Sequence, residues 1–126
     1  MTPRILIVED SPSMRSIVRA TLDLDGYEVI ESADGRQALA LLGQVAPHLI
    51  ITDLNMPQLD GLTLLREIRS LPSFRFTPVL ILTTESGADV KESARAAGAT
   101  GWLVKPLDPD QLRRMVAQVL GTRAHA

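Results

Sequence analysis

Short apolar runs alternate with longer amphipathic segments along the chain. Four runs rich in β-branched residues and leucine are too short for helices and too apolar for strands with one face in water. They predict strands that are buried on both faces, at residues 5–8, 49–52, 79–82 and 102–104. A fifth strand is predicted at residues 27–32, where Glu28 and Glu31 indicate that one side meets water.

The segments between these runs carry apolar residues at helical spacing. One stripe comprises Met14, Ile17, Val18 and Leu22, and another comprises Leu112, Met115, Val116, Val119 and Leu120. Signals for helix ends agree with these stripes. Ser11 before Pro12 is typical of a helix start, and Gly26 is expected to end that helix. Gly98 is expected to end a short alanine-rich helix. The pattern therefore predicts five strands that alternate with five helices.

The regular spacing of the strands predicts a parallel sheet. Strands begin near residues 5, 27, 49, 79 and 101, which leaves room for a right-handed helical crossover between successive strands. The order 2-1-3-4-5 leaves the second strand at an edge, where its two glutamates fit, whereas the order 3-2-1-4-5 would bury it. We therefore predict a doubly wound α/β fold with a five-stranded parallel sheet in the order 2-1-3-4-5, the flavodoxin-like (βα)5 arrangement.

Length, composition and charge narrow the class of protein. The 126 residues fit one domain, predicted at residues 1–121, with residues 122–126 as a short tail and no output domain. The absence of cysteine excludes disulfide scaffolds and cysteine-ligated zinc. A net charge of −2 with scattered basic residues argues against nucleic-acid binding. No apolar run approaches the roughly 18 residues of a membrane helix, and Glu9 and Asp10 exclude a signal-peptide core, so we expect a cytoplasmic protein without membrane insertion.

Polar residues follow four of the predicted strands, in the order Glu9, Asp10, Asp53, Thr83, Thr84 and Lys105. In an open parallel sheet, ligands bind at the carboxyl ends of the strands beside the point where the strand order reverses, here between the first and third strands. Three carboxylates this close together repel one another, and a hard divalent cation bound between them offsets the repulsion. Mg²⁺ is the candidate, because it binds one or two carboxylates together with water and a phosphoryl oxygen.

The other groups at this edge fit phosphoryl chemistry. Asp53 has a carboxylate that can attack phosphorus and form an acyl phosphate. Lys105 offers a positive charge to one phosphoryl oxygen, and Thr83 offers a hydroxyl donor to another. Pro106 predicts a restricted peptide, of a kind that also adopts the cis form, which aims Lys105 inward.

Over essentially its whole length, the chain resembles the receiver domains of two-component response regulators. The matching elements are Glu9–Asp10, the Asp-Leu-Asn-Met-Pro stretch at 53–57, Asp60–Gly61, Thr83 and Lys105–Pro106. The stretches 83–85 and 99–106 look most like the stand-alone, CheY-like chemotaxis regulators. A member of this family is itself a type example of the order 2-1-3-4-5, so the predicted strand order is not independent of the resemblance.

The resemblance implies a role for each residue of the site. Asp53 would be the phosphoacceptor, and Thr83 and Lys105 would contact the phosphoryl group. Mg²⁺ would be held by Glu9, Asp10, Asp53 and the backbone carbonyl of Asn55. Trp102 stands where the family has its switch aromatic, but it is bulkier than the usual Tyr or Phe, which predicts a smaller adjustment than a full rotamer flip. Thr84 replaces a smaller residue, which predicts slower access to the acceptor.

The resemblance also implies partners. The chain would take a phosphoryl group from a histidine kinase and would signal to a protein target by a conformational shift. It would not turn over an outside substrate, so it would not be an enzyme in the usual sense. A flagellar motor, an adaptor or a phosphotransfer protein is the expected kind of target, and we expect a monomer in the unphosphorylated state. The expected face is formed by the fourth helix, fifth strand and fifth helix, with Lys91, Arg95, Trp102 and Arg113 as candidate residues.

Other interpretations remain beside this one. The chain could be a phosphorelay intermediate that passes its phosphoryl group to a histidine phosphotransfer protein, or a pseudo-receiver that binds partners without phosphorylation. A flavin module fits poorly, because Glu9 and Asp10 would repel a flavin phosphate, and an aspartate-based phosphatase would need a second aspartate where Asn55 stands. Structural or incidental roles are expected for Asp60–Gly61, His48 and His125.

Overall fold

A computed structural model describes residues 2–56 and 59–121. The predicted tail at 122–126 lies outside the described residues. Five strands are present, in the order of the chain: β1 (Arg4–Val8), β2 (Glu28–Ser32), β3 (Leu49–Asp53), β4 (Val79–Thr83) and β5 (Gly101–Val104). The helices between and after them are α1 (Pro12–Asp23), α2 (Gly35–Val45), α3 (Gly61–Ser70), α4 (Ala88–Ala97) and α5 (Pro109–Leu120), with a 3₁₀ turn at Pro72–Phe74.

All neighbouring strands run parallel, and the sheet has the order β2-β1-β3-β4-β5. The predicted fold and strand order are therefore confirmed. The edge strand β2 exposes Glu28 and leaves Ile30 and Glu31 half-buried, whereas every residue of β3 and β4 is buried. This contrast explains why two charged residues are tolerated in one strand and continuous apolar runs occur in the others.

Successive side chains of each strand point to opposite faces of the sheet, and each face has its own core. In β1, Ile5 and Ile7 join the core beneath α1 and α5, while Leu6 and Val8 join the core beneath α2, α3 and α4. All four of these side chains are at most 1% exposed. Since both faces are covered, the edge where the strands end is where polar side chains can gather.

The helix signals in the sequence are mostly confirmed. Ser11 caps α1 by accepting a hydrogen bond from the Met14 backbone N–H, with Pro12 at the first helical position. Gly98 caps the C-terminal end of α4 with a φ of 105°. Helix α1 itself ends at Asp23 with Leu24 as its cap, and Gly26, with a φ of 80°, lies in the turn that leads to β2.

One part of the predicted α1 stripe is wrong. Ile17 is 47% exposed, whereas Val18 and Leu22 are fully buried, and Thr21 is buried in its place. The inward row of the helix runs through Val18, Thr21 and Leu22, which leaves Ile17 on the flank. Thr21 tolerates burial because its hydroxyl donates a 2.8 Å hydrogen bond to the Ile17 carbonyl.

Candidate functional site

Three carboxylates converge where the strands end. Glu9 and Asp10 directly follow β1 and Asp53 is the last residue of β3, and β1 and β3 are neighbours in the sheet. One carboxylate oxygen from each of the three residues lies within 4.8 Å of the others. Glu9 and Asp53 are 1% and 6% exposed, and Asp10 is exposed. The predicted acidic cluster is therefore present, with two buried members and one open to water.

Lys105 reaches into this cluster from the end of β5. Its Nζ atom lies 2.8 Å from Oε1 of Glu9 and 3.0 Å from Oδ2 of Asp53. The ammonium of Lys105 is therefore in direct contact with both carboxylates. The Lys105–Pro106 peptide is cis. Burial lowers the pKa of Lys105, but the hydrogen bonds to Glu9 and Asp53 outweigh this effect and raise it, so the ammonium stays charged.

Glu9 has the most perturbed carboxylate of the site. Burial raises its pKa from the ordinary value of 4.5 to about 7, with a further rise from its contact with Asp53 and an opposing effect from Lys105. Its Oε2 atom is buried and has no hydrogen-bond partner within the described residues. A buried anionic oxygen without a donor is costly unless a cation compensates it.

This donor set fits a magnesium ion. Carboxylate oxygens on Glu9, Asp10 and Asp53 are the hard ligands that Mg²⁺ prefers, and the exposed position of Asp10 leaves one side open for water or a phosphoryl oxygen. Oε2 of Glu9, which has no hydrogen-bond partner among the described residues, is a buried oxygen that a cation would compensate. Asn55, whose carbonyl is a predicted ligand, lies two residues beyond Asp53 and donates its N–H to Oδ1 of Asp53 at 3.3 Å.

Thr83 ends β4 beside Asp53 and is fully buried. Its Oγ1 accepts a 3.1 Å hydrogen bond from the backbone N–H of Glu85. The carbonyl of the same residue, Glu85, accepts a 3.2 Å hydrogen bond from the indole Nε1 of Trp102. The hydroxyl predicted to contact a phosphoryl group and the aromatic side chain predicted to respond are thus joined through one residue of the β4–α4 loop.

The loop after β3 is held by Asp60 and Gly61. Asp60 caps α3 by accepting a 2.8 Å hydrogen bond from the Thr63 N–H. A Cβ atom on Gly61 would overlap the carbonyl oxygen of Asp53, and the Gly61 N–H donates to the Leu54 carbonyl at 2.8 Å. Both residues therefore have the structural roles that the sequence predicted, and Gly61 permits close packing against Asp53.

The candidate face residues divide into two groups. Lys91, Arg95 and Trp102 line one cavity of about 180 Å³ between α4 and β5. Arg113 on α5 is held instead by Asp25, through bonds of 3.0 Å from Nε and 2.8 Å from Nη2. The Asp25 side chain is fully buried, so this bidentate pair gives Arg113 a structural role. Its part in partner binding stays a prediction.

The contacts of three arginines, Arg15, Arg69 and Arg113, were missed by sequence reasoning. Arg15 donates to the Glu9 carbonyl at 2.7 Å and lies 3.4 Å from a carboxylate oxygen of Glu31. Arg113 pairs with Asp25, 88 positions away, and Arg69 binds the carbonyl of Gly98. Carbonyl acceptors and distant partners have no periodic signature, so no local pattern could have found these contacts.

The fold and the site together define a class of protein. The chain is a doubly wound α/β domain, and three carboxylates that could hold a metal ion, a lysine and a hydroxyl lie at the carboxyl edge of its sheet. The family model of the response regulator receiver domain matches residues 5–117. The chain belongs to this family, whose members are signalling proteins and not metabolic enzymes.

Individual relatives resemble the chain over nearly all of its length. The chemotaxis protein CheY1 of Helicobacter pylori is 39% identical over 121 residues, covering 94% of this chain and 98% of that protein. The structure of the chemotaxis response regulator CheY4 of Vibrio cholerae has a TM-score of 0.90 and 42% identity, covering 94% and 99% of the two chains.

A third relative was solved with a metal. The receiver domain of the sensor histidine kinase PA1611 from Pseudomonas aeruginosa has a magnesium ion coordinated in its active-site cleft. It has a TM-score of 0.88 and 32% identity to this chain, and the match covers 97% of this chain and all of that one.

Among the described residues of this chain, no helix is long and apolar enough to cross a bilayer.

Proposed function

We propose that this chain is a phosphoacceptor response regulator that receives a phosphoryl group on Asp53 from the phosphohistidine of a histidine kinase. The observation that carries the proposal is Lys105, whose ammonium bridges Asp53 and Glu9 at 3.0 and 2.8 Å within the three-carboxylate cluster. A carboxylate that only ended a strand would need neither a half-buried lysine nor two further acids. Mg²⁺ would be held by Glu9, Asp10, Asp53 and the Asn55 carbonyl.

The transfer forms one bond and breaks one bond. A carboxylate oxygen of Asp53 attacks phosphorus, the bond between phosphorus and the imidazole nitrogen breaks, and the electron pair leaves with the imidazole. Lys105 donates to one phosphoryl oxygen and the Thr83 hydroxyl to another, which stabilises the charge that spreads over these oxygens. Bound Mg²⁺ supplies further positive charge for the phosphoryl oxygens and relieves the repulsion among the carboxylates.

The signal passes from Thr83 to the face between α4 and β5. Because Thr83 and Trp102 both bond Glu85, a new partner for the Thr83 hydroxyl shifts the β4–α4 loop and the indole together. This shift changes the surface presented by Lys91, Arg95 and Trp102, where a protein target binds. We place this exchange in the cytoplasm, with a histidine kinase upstream and a flagellar motor or adaptor protein downstream. Support for a chemotaxis role comes from the two relatives named as chemotaxis proteins, at 39% and 42% identity.

A phosphorelay role is the second candidate, because one similar structure is the receiver domain of a sensor histidine kinase. The two roles differ in where the phosphoryl group goes. A relay intermediate passes it on to a histidine phosphotransfer protein, whereas a terminal regulator loses it to water. Labelled phosphoprotein incubated with a purified phosphotransfer protein distinguishes them by transfer or retention of the label.

The test is an amide NMR titration with Mg²⁺ and then beryllofluoride, with the indole N–H of Trp102 as an additional reporter. We expect Mg²⁺ to shift signals of Glu9, Asp10 and Asp53, and beryllofluoride to extend the shifts to Thr83, Glu85 and Trp102. A small-molecule phosphodonor followed by mass spectrometry then shows covalent labelling of Asp53.

Asp60→Asn is the matched control, because asparagine retains the helix cap while removing a carboxylate near the site. It should respond like the native chain, whereas Asp53→Asn should take up no label. A Mg²⁺ response without a beryllofluoride response would leave only a metal site. Silence at both steps would favour the pseudo-receiver.

A further inference from the structure

Arg69, near the C-terminal end of α3, joins three segments of the chain. Its Nε and Nη2 atoms donate to the Gly98 carbonyl at 3.2 and 2.8 Å. Its Nη1 atom donates to the carbonyls of Phe74 at 3.1 Å and Thr77 at 2.7 Å. The side chain is half-buried, and burial lowers its pKa. Within the described residues its partners are carbonyl oxygens, so the guanidinium acts here as a rigid fork of donors.

The C-terminal end of α4 is fixed by Arg69 and by the backbone around it. Gly98, the helix cap, has a φ of 105°, and a Cβ atom there would lie 2.8 Å from Nε of Arg69. The Ala99 N–H donates to the Ala94 carbonyl at 2.9 Å. Thr100 and Val79 exchange two hydrogen bonds, of 2.8 and 3.1 Å, which attach the chain after α4 to the start of β4.

The N-terminal end of α4 has much weaker support. Its cap is Gly87, which offers no side-chain hydrogen bond, and residues 84–89 are all exposed. The contacts of this segment lead instead to the site, through the bonds from Glu85 to Thr83 and from Trp102 to Glu85. One end of α4 is therefore tied to α3 and β4, and the other end follows Thr83.

We propose that Arg69 makes the C-terminal end of α4 the pivot of the switch, so that a displacement at Thr83 swings the N-terminal end of the helix. Helix α4 has 10 residues and spans about 15 Å, so it transmits a shift at one end as a rotation about the other. The inference about movement rests on the proposed function, because phosphorylation is what displaces Thr83. The attachment of Gly98 by Arg69 is independent of phosphorylation.

The attachment is tested by amide hydrogen exchange without metal or phosphoryl analogue. Arg69→Met should speed exchange at residues 95–99 by at least about tenfold, since it removes several charge-assisted hydrogen bonds. Exchange in β3 and β4 should stay slow, which shows that the fold is intact. Arg75→Met, which removes an exposed arginine from the neighbouring loop, is the control and should change neither region. Unchanged exchange at 95–99 in Arg69→Met would overturn the proposal.

A conservative variant covers the case in which Arg69→Met fails to fold. Arg69→Lys retains the charge but has fewer donors and lacks the planar fork, so it should give an intermediate acceleration at 95–99. Full retention of native protection in Arg69→Lys would contradict the need for the guanidinium.

The pivot is tested by adding Mg²⁺ and beryllofluoride. In the native chain, the changes in amide chemical shift should be large at residues 83–90 and small at residues 95–99. In Arg69→Met, the changes should be large at both ends of α4. Equal shifts at both ends of the native helix would overturn the pivot while leaving the proposed function intact. If beryllofluoride changed the amide chemical shift of Asp53 in no variant, the proposed function would be refuted instead. The hydrogen-exchange result without ligands would still decide whether Arg69 holds the end of α4.

Discussion

Replacing Glu9 with glutamine should stabilise the metal-free protein, and the gain should grow as the pH rises. In the folded chain Glu9 has a pKa of about 7, against an ordinary value of 4.5 in an exposed position. The folded state therefore holds a proton on Glu9 over a range where the unfolded state has lost it. Stability falls as the pH rises through this range, because the unfolded chain binds fewer protons there.

The magnitude follows from the size of the shift. A difference of 2.5 pKa units, from 4.5 to about 7, corresponds to about 3 kcal/mol of stability lost between these pH values. Solvent screening does not reduce this figure much, since Glu9 is 1% exposed. Glutamine is neutral at every pH and can still accept the hydrogen bond from Lys105. The variant should therefore match the native chain near pH 4.5 and exceed it by up to about 3 kcal/mol near pH 8.

Urea unfolding in the presence of a chelator, at several pH values between about 5 and 8, measures this difference. Glu67→Gln is the control, because Glu67 is an exposed glutamate on α3 and its replacement should give a small difference at every pH. A stability gain for Glu9→Gln that does not change with pH would refute the reasoning. So would a native chain that becomes more stable, relative to the variant, as the pH rises.

Four further predictions follow from the same geometry. Asp53→Asn should abolish phosphoryl uptake, because the attacking carboxylate is gone, and mass spectrometry after treatment with a phosphodonor measures this. The same variant should raise the free energy of unfolding without metal by about 1 kcal/mol in urea unfolding, because one of three repelling charges is lost. The Mg²⁺ dissociation constant should rise about tenfold for each pH unit below 7, since the ion must displace the Glu9 proton. Calorimetric titrations at different pH values measure this, and a dissociation constant that does not change with pH would contradict it. Lys105→Ala should still bind Mg²⁺ but fail to carry the beryllofluoride response to Trp102, and an undiminished indole shift would remove the lysine from the switch. Gly61→Ala should cost about 1–3 kcal/mol in urea unfolding, because its Cβ would overlap the Asp53 carbonyl, and a neutral effect would show that the β3–α3 loop yields easily.

The fold could be predicted because each of its decisive features has a local signature. Continuous apolar runs identify the central strands, and the two glutamates of β2 indicate an edge strand, which favours the order 2-1-3-4-5 over 3-2-1-4-5. The cluster of Glu9, Asp10 and Asp53 followed from the fold, since the carboxyl ends of adjacent parallel strands lie side by side. Sequence position and topology together were sufficient to assemble this part of the site.

The remaining features depend on packing that sequence patterns do not encode. Ile17 and Thr21 are both compatible with the inner face of α1 by spacing, and only the contact with the sheet decides that Thr21 is buried. The link from Thr83 through Glu85 to Trp102 uses backbone atoms, which are the same in every residue. The direct contact of Lys105 with both carboxylates likewise depends on the path of the chain after β5.

The position of Lys105 connects the electrostatics of the site to its switching. Without a metal, one ammonium group serves two buried carboxylates, and Oε2 of Glu9 has no partner within the described residues. In the proposed function, phosphorylation of Asp53 would remove one carboxylate charge and place phosphoryl oxygens nearby, which would compete for Lys105 and for the hydroxyl of Thr83. A rearrangement of Thr83 would act on Glu85, which is bonded to both Thr83 and Trp102, while Arg69 binds the Gly98 carbonyl at the far end of α4. In the proposed switch, a local exchange of hydrogen-bond partners would therefore act mainly on the N-terminal end of α4, whose cap Gly87 has no side-chain hydrogen bond.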